Sequence, residues 1–254
     1  MRWALAALLM AQATGGQTPD RAVFETEHAS VAFEPGQLGK EQMERFVGLV
    51  ERGITDIEKY LGDGTPLLRP GAKISYRIAS DIPMSRSFRR SVLLPLARVK
   101  ADSAPYLHET THVLMPSRGN EMWLNEGFAS YVQSYVSENV GGYDGFVFSW
   151  GGNRNVDRLA RRALTQAAGK TVLPYVGAPG EPAGIWEERR GVAAPFYVLS
   201  HSFVKYLIEK GGLALVKAMV RAVDPAAAAE RATGRSLATW KADWLGSLES
   251  GAAR

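Results

Sequence analysis

Apolar positions in the first hundred residues follow two different periods. Residues 22–33 and 72–78 alternate apolar with polar side chains or contain β-branched residues, which predicts a strand or hairpin over 22–33 and a strand over 72–78. A further strand is predicted over 91–99. Pro95 lies inside that third run and predicts an edge strand, because proline cannot donate a hydrogen bond to a neighbouring strand. Between the first two, apolar residues recur every three or four positions over 40–61, which predicts an amphipathic helix.

Helical spacing prevails in the rest of the chain. Helices are predicted from near residue 102, with Pro105 in the first turn, and over 125–137, 156–168, 194–210, 213–223, 225–232 and 237–248. Glycine and proline punctuate 140–152 and 171–193, which predicts two loops. Strands followed by helices predict an α+β fold, with a small N-terminal mixed sheet packed on a mainly helical C-terminal lobe.

Composition excludes several classes of protein. Of the 254 residues, 46% are hydrophobic and 22% charged, as in ordinary globular chains, and no run of about 18 apolar residues could span a membrane. The absence of cysteine excludes disulfides, iron–sulfur clusters and thiol catalysis, so any metal must be bound by His, Asp, Glu or backbone oxygen. The net charge of +4 comes without a long basic run, so no nucleic-acid partner is expected.

The N-terminal residues have the pattern of a secretory signal peptide. Arg2 supplies the positive start, a short apolar stretch follows, and residues 11–13 read Ala-Gln-Ala, which fits a cleavage site. We therefore expect residues 1–13 to be removed on export to the periplasm or the extracellular space, with no stable membrane insertion afterwards. Residues 14–30 are then a linker or an N-terminal extension before a folded domain over 31–250.

One five-residue motif has the spacing of a metal site. His108, Glu109 and His112 form the pattern His-Glu-x-x-His in a chain that has only 4 histidines. Residues four apart lie on one face of a helix, so both imidazoles can reach one zinc ion. Glu109 lies about 100° round the helix, from where it can reach a metal-bound water. The motif therefore predicts bound Zn²⁺, whereas a lone histidine such as His28 is expected to be structural or exposed.

A catalytic zinc ion needs a third protein ligand and leaves one position for water. Glu126 follows His112 by 14 residues, and the turn-forming residues 115–120 between them permit a second helix to return antiparallel. Glu121 is a rival ligand near that turn. A carboxylate within a helix is held more firmly, so Glu126 is favoured.

These residues resemble a known family. His108-Glu-x-x-His112 followed by Trp123-Leu-x-Glu126-Gly-x-Ala129 is similar to the gluzincin zinc metallopeptidases, and most similar among them to the bacterial peptidase MA-like domain family. Weaker similarity to helices of that family extends to the C-terminal part of the chain. The resemblance implies a thermolysin-like zincin core, with a gluzincin-type metallopeptidase domain over 31–250.

The resemblance also implies a set of roles. His108, His112 and Glu126 would bind Zn²⁺ as the only cofactor, and Glu109 would be the general base that takes a proton from a zinc-activated water and delivers it to the leaving amine. The oxyanion needs a further donor, for which the resemblance points first to Tyr197. His201 lies four residues later, on the same helical face, and is the second candidate.

Two departures from the family pattern bear on activity. Many gluzincins have an acid four residues after the glutamate ligand, where this chain has Ser130, so the support of the zinc ligands differs. The chain also lacks the Gly-x-Met-Glu-Asn segment with which aminopeptidases of this clan hold a substrate amine. The expected activity is therefore that of an exported endopeptidase acting on a peptide or protein substrate.

Two alternatives stay open. The chain could be an exported binding or scaffolding module of the same fold with little or no turnover, although loss of Glu109 would be the signature of such a protein and Glu109 is present. A zinc hydrolase that cleaves a non-peptide amide would need the same residues. Neither the oligomeric state nor the cleavage preference follows from the sequence.

Overall fold

The computed structural model of the chain describes residues 22–143, 152–187 and 190–251, which form two compact units that divide after Leu114. The predicted signal peptide lies outside the described residues, so export and cleavage near Ala13 stay predictions. Among the described helices, none has both the length and the apolar composition that a membrane span requires.

The first unit is built on a five-stranded mixed sheet with the order β1-β2-β3-β5-β4. Its strands are β1 (Ala22–Glu25), β2 (Ala29–Phe33), β3 (Ile74–Ala79), β4 (Arg86–Phe88) and β5 (Ser91–Pro95). The pairs β2–β3 and β3–β5 are parallel, whereas the two outer pairs are antiparallel. The mixed sheet and the strands predicted over 22–33 and 72–78 are therefore confirmed, and the first of these is a hairpin.

The strand predicted over 91–99 is shorter than expected and lies inside the sheet. It ends at Pro95, and the next residues form helix α2 (Leu96–Lys100). Since β5 pairs with β3 on one side and with β4 on the other, the prediction of an edge strand is wrong. The proline is tolerated because it is the last residue of the strand, where the chain leaves the ladder. Strand β4, which pairs with the outer side of β5, has only three residues. A run that short cannot show the alternating pattern from which a strand is predicted.

Two further helices complete the first unit. Helix α1 (Lys40–Leu61) has the predicted bounds and buries the apolar stripe that includes Phe46, Val50 and Ile54. Helix α3 (Tyr106–Leu114) begins four residues later than predicted. Asp102 has a positive φ of 47°, which interrupts a right-handed helix, and the carbonyl of Pro105 accepts the first helical hydrogen bond, from Glu109 N.

The described part of the second unit is helical. Its elements are α4 (Met122–Asn139), α5 (Gly152–Thr165), α6 (Ala167–Val172), a 3-10 turn (Leu173–Tyr175), α7 (Ala193–Gly211), α8 (Leu213–Val220), α9 (Pro225–Thr233) and α10 (Leu237–Ser250). The predicted helices are confirmed, except that 171–175 is helical rather than loop. The loop predicted over 140–152 lies mostly in 144–151, outside the described residues.

Aromatic side chains form the centre of the second unit. The ring centroids of Trp123 and Phe203 are 5.1 Å apart, and those of Phe203 and Trp244 are also 5.1 Å apart. Trp244 donates its indole N–H to Ser202 Oγ at 3.0 Å, so the polar end of this buried residue is satisfied. This cluster ties α4, α7 and α10 together.

Candidate metal centre

Helix α3 brings the two predicted histidine ligands together. The Nε2 atoms of His108 and His112 are 3.0 Å apart, and their rings meet edge to face with centroids 4.7 Å apart. Two nitrogen ligands of a tetrahedral zinc ion, each 2.0–2.1 Å from the metal, are about 3.3 Å apart. His108 is buried and His112 is partly exposed. The pair therefore fits two adjacent ligand positions of zinc.

Glu109 lies on the same helix, directly after His108. Its side chain is only 6% exposed. A carboxylate in such a position is shielded from bulk water, which strengthens its interactions with nearby charges and donors. The structure thus places the predicted general base beside the histidine pair, on a neighbouring part of the helix surface.

A chain of hydrogen bonds holds the opposite face of α3. The hydroxyl of Thr110 donates to the Tyr106 carbonyl at 2.5 Å, so it accepts from the Tyr76 hydroxyl, 2.6 Å away on β3. Thr110 lies about 160° round the helix from each histidine. Burial raises the pKa of Tyr76, which therefore remains a protonated donor. The sequence does not reveal this support, because Tyr76 and Thr110 are 34 positions apart.

Helix α1 approaches α3 closely at Gly53. A Cβ atom on Gly53 would lie 2.6 Å from Leu107 Cδ2 and 3.1 Å from Tyr106 Cε2, so no larger residue fits without displacement. Phe46 also meets the Tyr106 ring edge to face, with centroids 5.5 Å apart. Helix α3, which carries the predicted zinc ligands, is therefore packed between the sheet and α1 within the first unit.

In the second unit, helix α4 presents Glu126, which is partly exposed. The following residue, Gly127, is where α7 comes closest, because a Cβ there would lie 2.5 Å from the Ser200 carbonyl oxygen. The rival Glu121 precedes α4, and its backbone carbonyl accepts from Leu124 N at 3.1 Å. Burial raises the pKa of the Glu121 carboxyl.

Helix α7 presents the two predicted oxyanion donors. Tyr197 is partly exposed, whereas His201 is only 1% exposed. His201 Nε2 lies 2.6 Å from Asn153 Oδ1 on α5, and since an amide oxygen only accepts, the histidine is the donor. This bond occupies the Nε2 proton and weighs against His201 as an oxyanion donor. Asn153 has no motif around it and lies 48 positions away, so the sequence did not reveal it.

His28 belongs to a second group of side chains with metal-ligand chemistry, formed with Glu27 and Glu51. Glu51 already accepts from the Thr26 hydroxyl at 2.6 Å and from the backbone N–H of His28 at 3.1 Å, and it lies 2.6 Å from His28 Nδ1. These bonds tie the β1–β2 turn to α1. The prediction of a structural role for His28 agrees with this arrangement.

No protein-family model and no curated protein matches this sequence. The structure of an M1 zinc metallopeptidase from Deinococcus radiodurans is similar, with a TM-score of 0.50, 14% identity, and coverage of 89% of this chain and 51% of that chain. The likeness shows a shared fold. A two-domain M1 zinc metallopeptidase bound to L-arginine has a TM-score of 0.45 and 16% identity, covering 90% of this chain and 49% of that one. The chain thus spans about half the length of both. The first of them shares its α+β fold.

Proposed function

We propose that the chain is a zinc-dependent peptidase in which His108, His112 and Glu126 bind one zinc ion. The observation that supports it most is the separation of 3.0 Å between the two Nε2 atoms on one turn of α3. Glu126, which is partly exposed on α4, is proposed as the third ligand on the sequence pattern. Two imidazoles and one carboxylate are a donor set that catalytic zinc uses.

A bound zinc ion would supply Lewis-acid chemistry at the carbonyl of the scissile bond. Glu109, buried beside the histidines, takes the proton from the attacking water and passes it to the nitrogen of the leaving amine. Tyr197 is the better placed of the two oxyanion donors in its own helix, because its side chain is partly exposed while the Nε2 proton of His201 is bonded to Asn153.

The proposal extends to substrate and location. The structural neighbour is a zinc metallopeptidase, which supports a peptide or protein substrate. The signal-peptide pattern of residues 1–13 supports a periplasmic or extracellular location. The sequence has no Gly-x-Met-Glu-Asn segment of the kind with which aminopeptidases hold a substrate amine, and this supports endopeptidase activity. We propose no nucleic-acid partner.

The test measures zinc content and hydrolysis of fluorescein-labelled casein for matched variants. Glu109→Gln should retain one zinc ion per chain and lower kcat/KM at least about 100-fold, because it removes the base and not a ligand. His112→Ala should lose the zinc ion, while His28→Ala, which changes a histidine outside the site, should keep both zinc and activity. A fully active Glu109→Gln variant would make the general-base role wrong.

A comparison of two variants tests which carboxylate is the third zinc ligand. Glu126→Ala should lose zinc, and Glu121→Ala should keep it; the reverse result would assign the rival carboxylate. Circular dichroism spectra of each variant report whether the fold survives. Zinc bound by a folded wild-type chain that cleaves neither casein nor a mixed peptide library would favour the binding-module alternative.

A further inference from the structure

The β4–β5 hairpin has a local conformation that its residues do not favour. Two residues, Arg89 and Arg90, connect the strands, since Phe88 pairs with Ser91. Arg89 has a φ of 54°. Two-residue hairpin turns place glycine or asparagine at such positions, because a side chain there is strained. The hairpin therefore retains an arginine where its backbone would favour glycine.

The same hairpin exposes an aromatic ring and three arginine side chains. Phe88 is 71% exposed, and the guanidinium carbon of Arg89 lies 5.2 Å from the centroid of its ring. Arg86 and Arg90 are also exposed. In the part of the chain that the structure describes, no ion pair involves the guanidinium groups of these three arginines. None of these four side chains contributes to the core, so stability does not account for them.

Two other cations, one on β3 and one directly before it, are neutralised by ion pairs. Arg77 pairs with Asp81 at 2.7 Å, and Lys73 pairs with Glu25 at 2.7 Å. Among the described strands of this sheet and the turn between β4 and β5, the unpaired positive charge lies on the hairpin, which is too short for the continuous basic surface that a nucleic-acid strand requires. A short acidic stretch of polypeptide matches the length of this hairpin better than a nucleic-acid strand does.

We propose that residues 86–90 form a docking surface for an acidic polypeptide segment that also carries aromatic side chains. Guanidinium groups bind carboxylates with paired hydrogen bonds, and an exposed phenylalanine adds apolar contact area. A lipid bilayer fits less well, because the Arg89 cation lies against the Phe88 ring and would have to enter the hydrocarbon with it. This surface goes beyond the proposed zinc chemistry and does not depend on it.

The test measures binding by fluorescence anisotropy, with the full chain carrying Glu109→Gln so that the probe stays intact. The probes are two fluorescein-labelled peptides of equal length, one alternating Glu with Phe and the other alternating Gln with Phe. We expect the acidic peptide to bind at least about tenfold more tightly at low ionic strength, with a difference that shrinks as salt is added. Equal binding of the two peptides would overturn the proposal.

Substitutions in the hairpin then locate the surface. Arg89→Gly relieves the backbone strain, so it should leave the melting temperature unchanged or higher while weakening the acidic peptide severalfold. Arg86→Gln, Arg89→Gly and Arg90→Gln together should abolish the preference, whereas Arg69→Gln, at an exposed site elsewhere in the first unit, should not. Hairpin-dependent binding to phosphatidylserine vesicles or to an oligonucleotide, without binding to the acidic peptide, would refute the polypeptide assignment.

Discussion

The hydrogen-bond chain that joins helix α3 to the sheet allows a quantitative prediction. Tyr76 and Thr110 are 0% and 1% exposed, and Thr110 is the acceptor for Tyr76 and the donor to the Tyr106 carbonyl. Thr110→Val keeps the shape of the side chain but removes the acceptor. The Tyr76 hydroxyl is then buried without a partner, which costs about 2 kcal/mol of unfolding free energy.

The reciprocal change is milder. Tyr76→Phe removes one hydrogen bond and leaves Thr110 bonded to its own helix, so the expected loss is about 1 kcal/mol. The double variant has no orphaned polar group, and its loss should be about 1.5 kcal/mol rather than the sum of about 3 kcal/mol. The coupling between the two positions is therefore about 1.5 kcal/mol.

Urea unfolding of the full chain, followed by circular dichroism, measures these values. Thr111→Val is the matched control, because Thr111 is equally buried on the same helix but, among the described residues, its hydroxyl bonds only to the Leu107 carbonyl, at 2.8 Å. Its loss should stay under about 1 kcal/mol, since that carbonyl belongs to the helical ladder. If Thr110→Val cost no more than Thr111→Val, or if the double variant were additive, the reasoning about Tyr76 would be refuted.

Other predictions concern the second unit and one helix position in the first. Gly127→Ala should destabilise by about 2 kcal/mol, because its Cβ would lie 2.5 Å from the Ser200 carbonyl oxygen. Gly48→Ala, with open space around it on exposed α1, should instead stabilise by about 0.5–1 kcal/mol in the same urea titration. Burial raises the pKa of the Glu121 carboxyl in the folded state above its value in the unfolded state. Ionisation of this carboxyl as the pH rises therefore lowers the free energy of unfolding. Glu121→Gln should therefore raise the melting temperature at pH 7, and this gain should vanish below about pH 4, where both states of the wild type are protonated. A gain that persisted at low pH would contradict the assigned cause.

The elements that the sequence predicts well depend on neighbours a few residues away. Helix α1 has its predicted bounds because its apolar side chains recur at the helical period along the whole run. Helix α10 begins at its predicted first residue, Leu237, because Ser236 caps it by accepting from Thr239 N at 3.2 Å. The two histidines converge for the same reason, since a spacing of four residues places them on one face of any helix.

Elements that depend on distant partners were predicted less well. Nothing in residues 91–99 indicates that β5 lies inside the sheet, because that depends on the separate three-residue strand β4. The positive φ of Asp102, which delays the start of α3, is likewise not visible in a periodic pattern.

The sequence by itself determined the donor groups of the candidate metal centre: two imidazoles four residues apart, a carboxylate beside them, and no cysteine. Tertiary structure alone decided how those groups are held. Tyr76 on strand β3 hydrogen-bonds to α3, the lack of a side chain at Gly53 lets α1 pack closely against α3, and Asn153 accepts the Nε2 proton of His201. The physical reason is that a helix period determines which side chains share a face, whereas long-range packing determines what each face meets.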